Sequence, residues 1–139
     1  MNVVNSADFV SFSDMDLLRA LTSCERRPNL LVDCVNSAAD GVVDQLRDTC
    51  AGPFYCVDLP GDLDLPEDTA SGTLVLNDVA GLTIAQQVAL FDWMHRRRGA
   101  IQVVSITRKR LIGLVCEGRF LEGLFYRLNT ISVTARGAR

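Results

Sequence analysis

Five short apolar runs alternate with stretches of helical periodicity along the chain, and this alternation most constrains the fold. The runs span 29–34, 53–57, 72–79, 100–107 and the β-branched stretch 130–134, and the run 72–79 is almost continuously apolar, as expected of a strand covered on both faces. Helical spacing of apolar residues appears between them, in 38–50, 83–97, 108–117 and 119–128, with a break at Gly118. Strands that alternate with helices predict a parallel sheet with helices on both faces.

A further helix is predicted before the first strand. Ser13 caps it, Pro28 ends it, and its apolar face carries Leu17, Leu18, Leu21 and Cys24. In the second half, Thr83 is the predicted cap of the helix that reaches Arg97. No internal repeat and no second domain are indicated, so we expect one domain over 1–139.

Composition and charge exclude several classes of protein. With 48% hydrophobic and 22% charged residues, the 139-residue chain is typical of globular proteins rather than disordered ones. A net charge of −3 gives no whole-domain support for nucleic-acid binding. No apolar run approaches bilayer length, and the acidic start lacks the basic region of a secretory signal. We therefore expect a cytoplasmic protein without direct nucleic-acid or membrane partners.

Metal and cofactor sites are not indicated. The five cysteines lack C-x-x-C spacing and His95 is the single histidine, so we expect reduced, mostly buried thiols and no metal site. The loop 59–72 is rich in acids (Asp62, Asp64, Glu67 and Asp68). The loop lacks the ligand spacing of an EF-hand, so a charged surface turn is favoured over a Ca²⁺ site.

Basic residues flank the predicted strand 100–107. His95–Arg98 end the preceding helix, where cations complement the helix dipole. The functional alternative joins them to Arg108–Arg110 in an anion-binding patch. Trp93 falls opposite the apolar stripe of the same helix, so burial against another element and exposure as an interface anchor remain open.

The second half of the chain resembles a bacterial family. GTLVLNDV followed by LTIAQQVALFDWM is similar to the Walker B strand and next helix of sigma-54-dependent transcription activators, which are AAA+ proteins, with Gln87 at the family's glutamine. VVSITRKRLIGLVCEGRFLEGLFYRLNTISV is similar to their sensor strand, G-[KR]-F-R-x-D-L-Y-Y-R-L-N segment and last strand. Upstream, NLLVDCVNSAADGVV lies where the family has its P-loop, so the resemblance covers about 30–133.

The P-loop positions depart from the family pattern. G-x-x-x-x-G-K-[ST] uses glycines to let backbone N–H groups approach phosphates, and its lysine offsets their charge. Here Cys34 replaces the first glycine, Ala39 the second, and Asp40 the lysine. An acid at the lysine position repels a triphosphate, so no nucleotide cofactor is expected.

The Walker B and sensor positions depart as well. Asn77 replaces the Walker B aspartate and supplies no anionic oxygen for Mg²⁺, while Asp78 keeps an acid at the position that polarises water. Arg108 occupies the sensor asparagine's position, after a preserved Thr107.

The segment that carries the family's two arginines matches the family pattern at one of these positions and departs from it at others. Of the two arginines that the family places after G-[KR]-F, Leu121 replaces the first and Arg127 matches the second, whereas Gly123 replaces the aspartate. A finger that reaches across a subunit interface and an arginine bonded locally are the two interpretations of Arg127. Arg127, Arg119 and Trp93 are the candidate residues of a protein–protein interface.

The resemblance implies a three-layer P-loop NTPase-like domain, an AAA+ core with sheet order 5-1-4-3-2. The family's long insertion with a GAFTGA loop is replaced by LPGDLDLPEDTAS, and the helical lid is missing. We expect an inactive ATPase-like interaction module that regulates transcription or an AAA+ partner through protein contacts. The alternatives are a nucleotide-responsive sensor or weak ATPase that uses Asp78 and Arg127, and a self-assembling structural subunit. The partner is a sigma-54 activator, another AAA+ protein or a second copy.

Overall fold

Five strands and four α-helices make up the structure, a computed structural model that describes residues 21–22, 27–34, 39–50 and 52–135. In chain order they are β1 (Leu30–Cys34), α1 (Ala39–Thr49), β2 (Phe54–Asp58), β3 (Gly72–Asn77), α2 (Ile84–Arg96), β4 (Ile101–Thr107), α3 (Leu111–Cys116), α4 (Glu122–Leu128) and β5 (Ile131–Ala135). The helix predicted upstream lies outside the described residues, except for Leu21 and Thr22, which are helical. Within the described residues no helix combines the length and apolarity needed to cross a membrane.

The strands form one sheet in the order β2-β3-β4-β1-β5, and every neighbouring pair is parallel. This confirms the expected parallel sheet and its order. The central strand β4 is buried along its whole length, which explains why its sequence is almost continuously apolar instead of alternating.

Two apolar cores cover the sheet, one on each face, and they make the three layers. Alternate residues of each strand point to opposite faces, so Val104 and Ile106 of β4 join the α1 core while Ile101 and Val103 join the other. The α1 side contains Val42, Val43 and Leu46. The opposite side is larger and includes Leu90, Trp93, Met94, Leu124, Phe125 and Leu128 of α2 and α4.

The start of α2 agrees with the start predicted from the sequence. Thr83 Oγ1 accepts a hydrogen bond from the backbone N–H of Gln86 at 3.1 Å, and Gln86 Oε1 accepts one from the N–H of Thr83 at 2.9 Å. This reciprocal capping box satisfies two N–H groups that a helix start leaves unpaired. The predicted cap at Thr83 is confirmed.

Two boundaries differ from the predicted ones for local reasons. β3 ends at Asn77 because Asp78 adopts the left-handed conformation (φ 66°) and a 3-10 turn, Val79–Gly81, follows. α3 begins at Leu111 rather than at 108 because Thr107 Oγ1 bonds both the N–H and the carbonyl of Lys109 and holds a turn there. The predicted break at Gly118 is confirmed, and its φ of 76° suits a residue without a side chain.

Candidate functional site at the carboxyl edge of the sheet

The ends of β1, β3 and β4 bring most of the predicted nucleotide-site positions together. Cys34 ends β1, Asn77 ends β3 beside Asp78, and Arg108 directly follows β4. The parallel register keeps these strand ends level with one another. We call this group of four residues the carboxyl-edge site. In open α/β sheets, ligand sites lie outside this edge of the strands.

Cys34 is buried at the end of β1. Burial raises the pKa of its thiol to about 11, nearby Arg108 opposes that shift, and Asp33 adds to it. The thiol is therefore neutral at physiological pH and is a poor nucleophile. A side chain occupies the position at which the family's P-loop needs a bare backbone.

The first turn of α1 contains the other two P-loop positions. The helix begins at Ala39, so the backbones of Ala39 and Asp40 lie in that turn. The N–H groups of a helix start attract anions, and an aspartate there is favoured by the same dipole. The sequence thus places a carboxylate in the turn where a phosphate-binding loop has a lysine.

Asn77 is held by a carboxylate from the neighbouring strand. The register pairs Asp58, the last residue of β2, with Asn77, and Asn77 Nδ2 donates to Asp58 Oδ1 at 3.0 Å. Asn77 Oδ1 is buried and accepts no hydrogen bond from the described residues. The neutral amide donates a hydrogen bond to the Asp58 carboxylate and adds no second negative charge, so the contact needs no cation. Sequence reasoning missed Asp58, although its place at the end of the strand beside β3 was a usable signal.

Arg127 lies at the other end of the sheet. It is exposed in the last turn of α4, which leads into β5, and its backbone carbonyl accepts from Asn29 Nδ2 at 3.0 Å, just before β1. Asp78 lies at the carboxyl edge, so the two residues of the weak-ATPase alternative do not meet within one chain. A common site for them needs two copies.

The other two candidate interface residues differ in exposure. Arg119 is exposed, and its guanidinium lies 3.4 Å from the Glu117 carboxylate in a surface ion pair. Trp93 is only 1% exposed, and its Nε1 donates to the Pro66 carbonyl at 2.8 Å. The interface role predicted for Trp93 is therefore wrong for this fold, and its alternative, burial against another element, is what the structure shows. The element is the 59–72 loop.

Gln87 is a buried polar residue whose role sequence reasoning did not identify. Its Nε2 donates to the carbonyls of Leu82 and Arg119, both at 3.2 Å, and its Oε1 accepts from the N–H of Leu121 at 2.8 Å. One amide thus ties the entry of α2 to the loop that carries Arg119. The resemblance marked this glutamine, but no local pattern indicated its partners.

The two basic segments do not form one patch. His95–Arg98 precede β4 and Arg108–Arg110 follow it, so the fully buried strand separates them. In the acidic loop, Asp68 Oδ2 lies 3.2 Å from Arg96 Nε. No group of three or more His, Cys, Asp or Glu side chains suited to a metal ion occurs in the described part of the chain.

Comparison with known sequences gives a consistent result. The sequence model described as the Sigma-54 interaction domain matches residues 44–135. The uric acid sigma-54-dependent transcriptional regulator UacR of Escherichia coli is 26% identical over 128 residues, which are 84% of this chain and 22% of that protein. The HTH-type transcriptional regulatory protein TyrR of Enterobacter agglomerans is 28% identical over 78% of this chain and 23% of its own length. The chain thus spans less than a quarter of these two relatives.

Solved structures show the same fold. NtrX from Brucella abortus in complex with ADP superposes with a TM-score of 0.72 at 16% identity, over 92% of this chain and 36% of NtrX. The P-loop NTPase domain of a sigma-54 transport activator from E. coli gives a TM-score of 0.57 at 16% identity, over 89% of this chain and 98% of that domain. Both comparisons confirm the expected P-loop NTPase-like architecture.

Proposed function

The chain belongs to the sigma-54 interaction domain family, and we propose that it is a non-catalytic member that acts through protein–protein contacts. It binds and regulates the AAA+ domain of a sigma-54 activator and hydrolyses no ATP. The family relation supports a place in transcription regulation, and the chemistry of the carboxyl-edge site supports the loss of catalysis.

The hydrogen bond between Asn77 and Asp58 carries this proposal. Mg²⁺ in nucleotide sites is held by carboxylates and phosphate oxygens. Here the Walker B position presents an amide N–H₂ that is already bonded to Asp58 at 3.0 Å. Two carboxylates at this spacing would repel each other unless a cation lay between them, whereas the amide N–H donates to the carboxylate without one. These residues do not fit a magnesium nucleotide.

The phosphate side of the site supports the same conclusion. The buried Cys34 offers a neutral thiol, and the sequence has the acidic Asp40 at the position matched to the lysine. A nucleotide phosphate would meet a like charge at the position where the family has a compensating lysine. Both requirements of phosphoryl transfer, an anion cradle and a metal, therefore lack their usual residues.

An apolar strip on the surface is suited to a protein partner. Ile84 and Val88 lie one turn apart on α2 and are 48% and 46% exposed, and Tyr126 of α4 is 61% exposed. Between them the Phe91 ring packs over Gly123, where an added Cβ would lie 3.4 Å from the ring. We call Ile84, Val88, Phe91, Gly123 and Tyr126 the α2–α4 strip. Contiguous exposed apolar side chains of this kind typically mark interaction surfaces.

A thermal-shift titration with Mg-ATP and Mg-ADP tests the loss of nucleotide binding. A ligand at a hundred times its dissociation constant adds about 2.7 kcal/mol and raises Tm by several degrees. We expect no saturable rise at millimolar nucleotide. A rise that depends on Asp78 or Asn77 would overturn the proposal and support the nucleotide-responsive alternative.

Association with the purified AAA+ domain of a sigma-54 activator tests the protein contact. We expect a complex in size-exclusion chromatography with light scattering, and its loss in Val88→Asp. Ile112→Ser is the matched control, because Ile112 is exposed to a similar extent (45%) on α3, outside the α2–α4 strip. Binding that Val88→Asp leaves intact contradicts the assigned surface. Self-association without activator binding contradicts the regulatory role and supports the structural-subunit alternative.

A further inference from the structure

A cavity lies at the amino edge of the sheet, opposite the carboxyl-edge site. Its volume is about 600 Å³, and its wall includes Arg27 before β1, Arg97 at the end of α2 and Gln102 of β4. These three residues come from three separate segments. We call this space the amino-edge cavity. No carboxylate belongs to its wall among the described residues.

Each of the two arginine side chains is held by hydrogen bonds and has further N–H groups. Arg27 donates from Nη1 to Thr73 Oγ1 at 3.1 Å and from Nη2 to the Gly72 carbonyl at 2.9 Å. Arg97 donates to the Ile101 carbonyl and lies over the Trp93 ring, 5.6 Å from its centroid. A guanidinium has five N–H groups, so both side chains keep N–H groups for an anion while their positions are fixed.

The charged residues in the described wall of the cavity are arginines. Burial lowers the pKa of Arg97, and the nearby positive charge of Arg127 lowers it further. Neither Arg27 nor Arg97 is in an ion pair within the described residues. A bound oxyanion would offset the positive charges of Arg27 and Arg97, and the planar fork of a guanidinium is well suited to bind one.

Gln102 adds an independent observation about the ligand. The residue is 1% exposed, and its Nε2 is held by the carbonyls of Leu21 at 3.2 Å and Pro28 at 2.7 Å. Its Oε1 is buried and accepts no hydrogen bond from the described residues. A buried acceptor without a donor is costly, and a ligand that carries its own O–H relieves this cost. Hydrogen phosphate has such an O–H, whereas sulfate and acetate do not.

We propose that the amino-edge cavity is a phosphate-binding site, in which Arg27 and Arg97 bind the anionic oxygens and Gln102 Oε1 accepts from the phosphate hydroxyl. The ligand is inorganic phosphate, which carries an O–H in both of its forms near neutral pH, whereas a phosphomonoester group is mainly a dianion without one. This site is independent of the carboxyl-edge site and of nucleotide hydrolysis.

A thermal-shift and calorimetric titration with inorganic phosphate, at constant ionic strength, tests the proposal on the full chain. We expect saturable binding in the millimolar range and a rise in Tm of a few degrees at ten times the dissociation constant. Sulfate should bind at least several-fold more weakly, because it offers no donor to Gln102. Absence of saturable phosphate binding, or equal binding of sulfate, overturns the proposal.

Variants separate the site from a general charge effect. Arg97→Gln should abolish saturable binding while circular dichroism confirms the fold. Arg98→Gln is the matched control, since Arg98 is an exposed neighbour whose side chain is not part of the cavity wall. Gln102→Met should reduce the preference for phosphate over sulfate. Binding that survives in Arg97→Gln, or an equal loss in Arg98→Gln, overturns the assignment.

Ribose 5-phosphate tests the role of the phosphate hydroxyl. It should bind more weakly than inorganic phosphate, because its phosphate group is mainly a dianion without an O–H for Gln102. Binding that is as tight as that of inorganic phosphate and depends on Arg97 contradicts the role of Gln102 Oε1. A Tm rise with Mg-ATP that Arg97→Gln removes belongs to this cavity. A rise that persists in this variant belongs to the carboxyl-edge site and contradicts the proposed function instead.

Discussion

Replacing Gln87 by methionine removes three hydrogen bonds from the buried junction between α2 and the loop before α4. The amide donates to the carbonyls of Leu82 and Arg119 and accepts from the N–H of Leu121. Methionine has a similar length and shape, so the substitution deletes the polar contacts with little change in packing. The three backbone groups are then left without this partner.

The expected loss of stability follows from these groups. A buried donor or acceptor that loses its partner costs about 1–3 kcal/mol. The Leu121 N–H has a single bonding direction, while each carbonyl has a second lone pair, so the N–H carries most of the cost. We expect the free energy of unfolding to fall by about 2–4 kcal/mol. For a domain near this size, this corresponds to a fall in Tm of roughly 4–16 °C.

Urea unfolding monitored by fluorescence measures this effect directly. Trp93 is the single tryptophan and is 1% exposed, so its emission reports the loss of the core. Gln45→Met is the matched control, because Gln45 is exposed on α1 and should change stability by less than about 0.5 kcal/mol. A loss in Gln87→Met no larger than in Gln45→Met would refute the assigned role.

Gln87→Glu adds a pH dependence of known sign. The introduced carboxyl keeps an acceptor for Leu121, but its charged form faces the carbonyls of Leu82 and Arg119. Its pKa in the folded protein is therefore raised above the usual value of about 4.3. A raised folded pKa gives stability that is present below the unfolded pKa and lost as the pH rises through the folded one. The variant should approach wild type near pH 4 and be less stable at pH 7; the same deficit at both values would contradict this.

Three further predictions concern single contacts. Asn77→Asp places a second carboxylate about 3.0 Å from Asp58 and should lower the free energy of unfolding in urea by about 1–3 kcal/mol. The double variant Asn77→Asp, Asp58→Asn should recover this loss, and an unchanged stability of the single variant contradicts the pairing. The raised pKa of Cys34 (about 11) means that stability present below pH 9 falls by about 2–3 kcal/mol as the pH rises to 11, and Cys34→Ala should flatten that slope in alkaline unfolding curves. Trp93→Phe loses the bond to Pro66 and should lower the free energy of unfolding by about 1.5–3 kcal/mol, measured by circular dichroism; a loss below 0.5 kcal/mol would refute the contribution of that bond.

Elements that depend on neighbours in the sequence were predictable. The five strands follow from apolar runs, and the start of α2 follows from Thr83 and Gln86, because a capping box uses atoms only three residues apart. The strand order came from the family resemblance, since periodicity alone gives no order. The late start of α3 was missed because Thr107 bonds to Lys109, a turn that competes with helix formation at the same residues.

Contacts between distant segments were not predictable. Trp93 was predicted to lie opposite the apolar stripe of its own helix, yet it is on the buried face of α2 with Leu90 and Met94, and Pro66 accepts from its indole. Nothing in the helix indicates which loop covers that side. For the same reason the partners of Gln87, which lie up to 34 residues away, were missed. Helical angle predicts a face of one element, whereas burial depends on what packs against it.

The residues that stabilise the sheet differ from the residues that determine the chemistry at its two ends. The apolar residues that build both cores alternate along the strands independently of the residues at the strand ends, so the ends can change without loss of the fold. At the carboxyl edge, Asn77 donates a hydrogen bond to Asp58. At the amino edge, Arg27 and Arg97 have no acid partner within the described residues. Because the whole of β4 separates these ends, a substitution at one should leave anion binding at the other unchanged, and Arg97→Gln and Asn77→Asp should therefore have additive effects on stability.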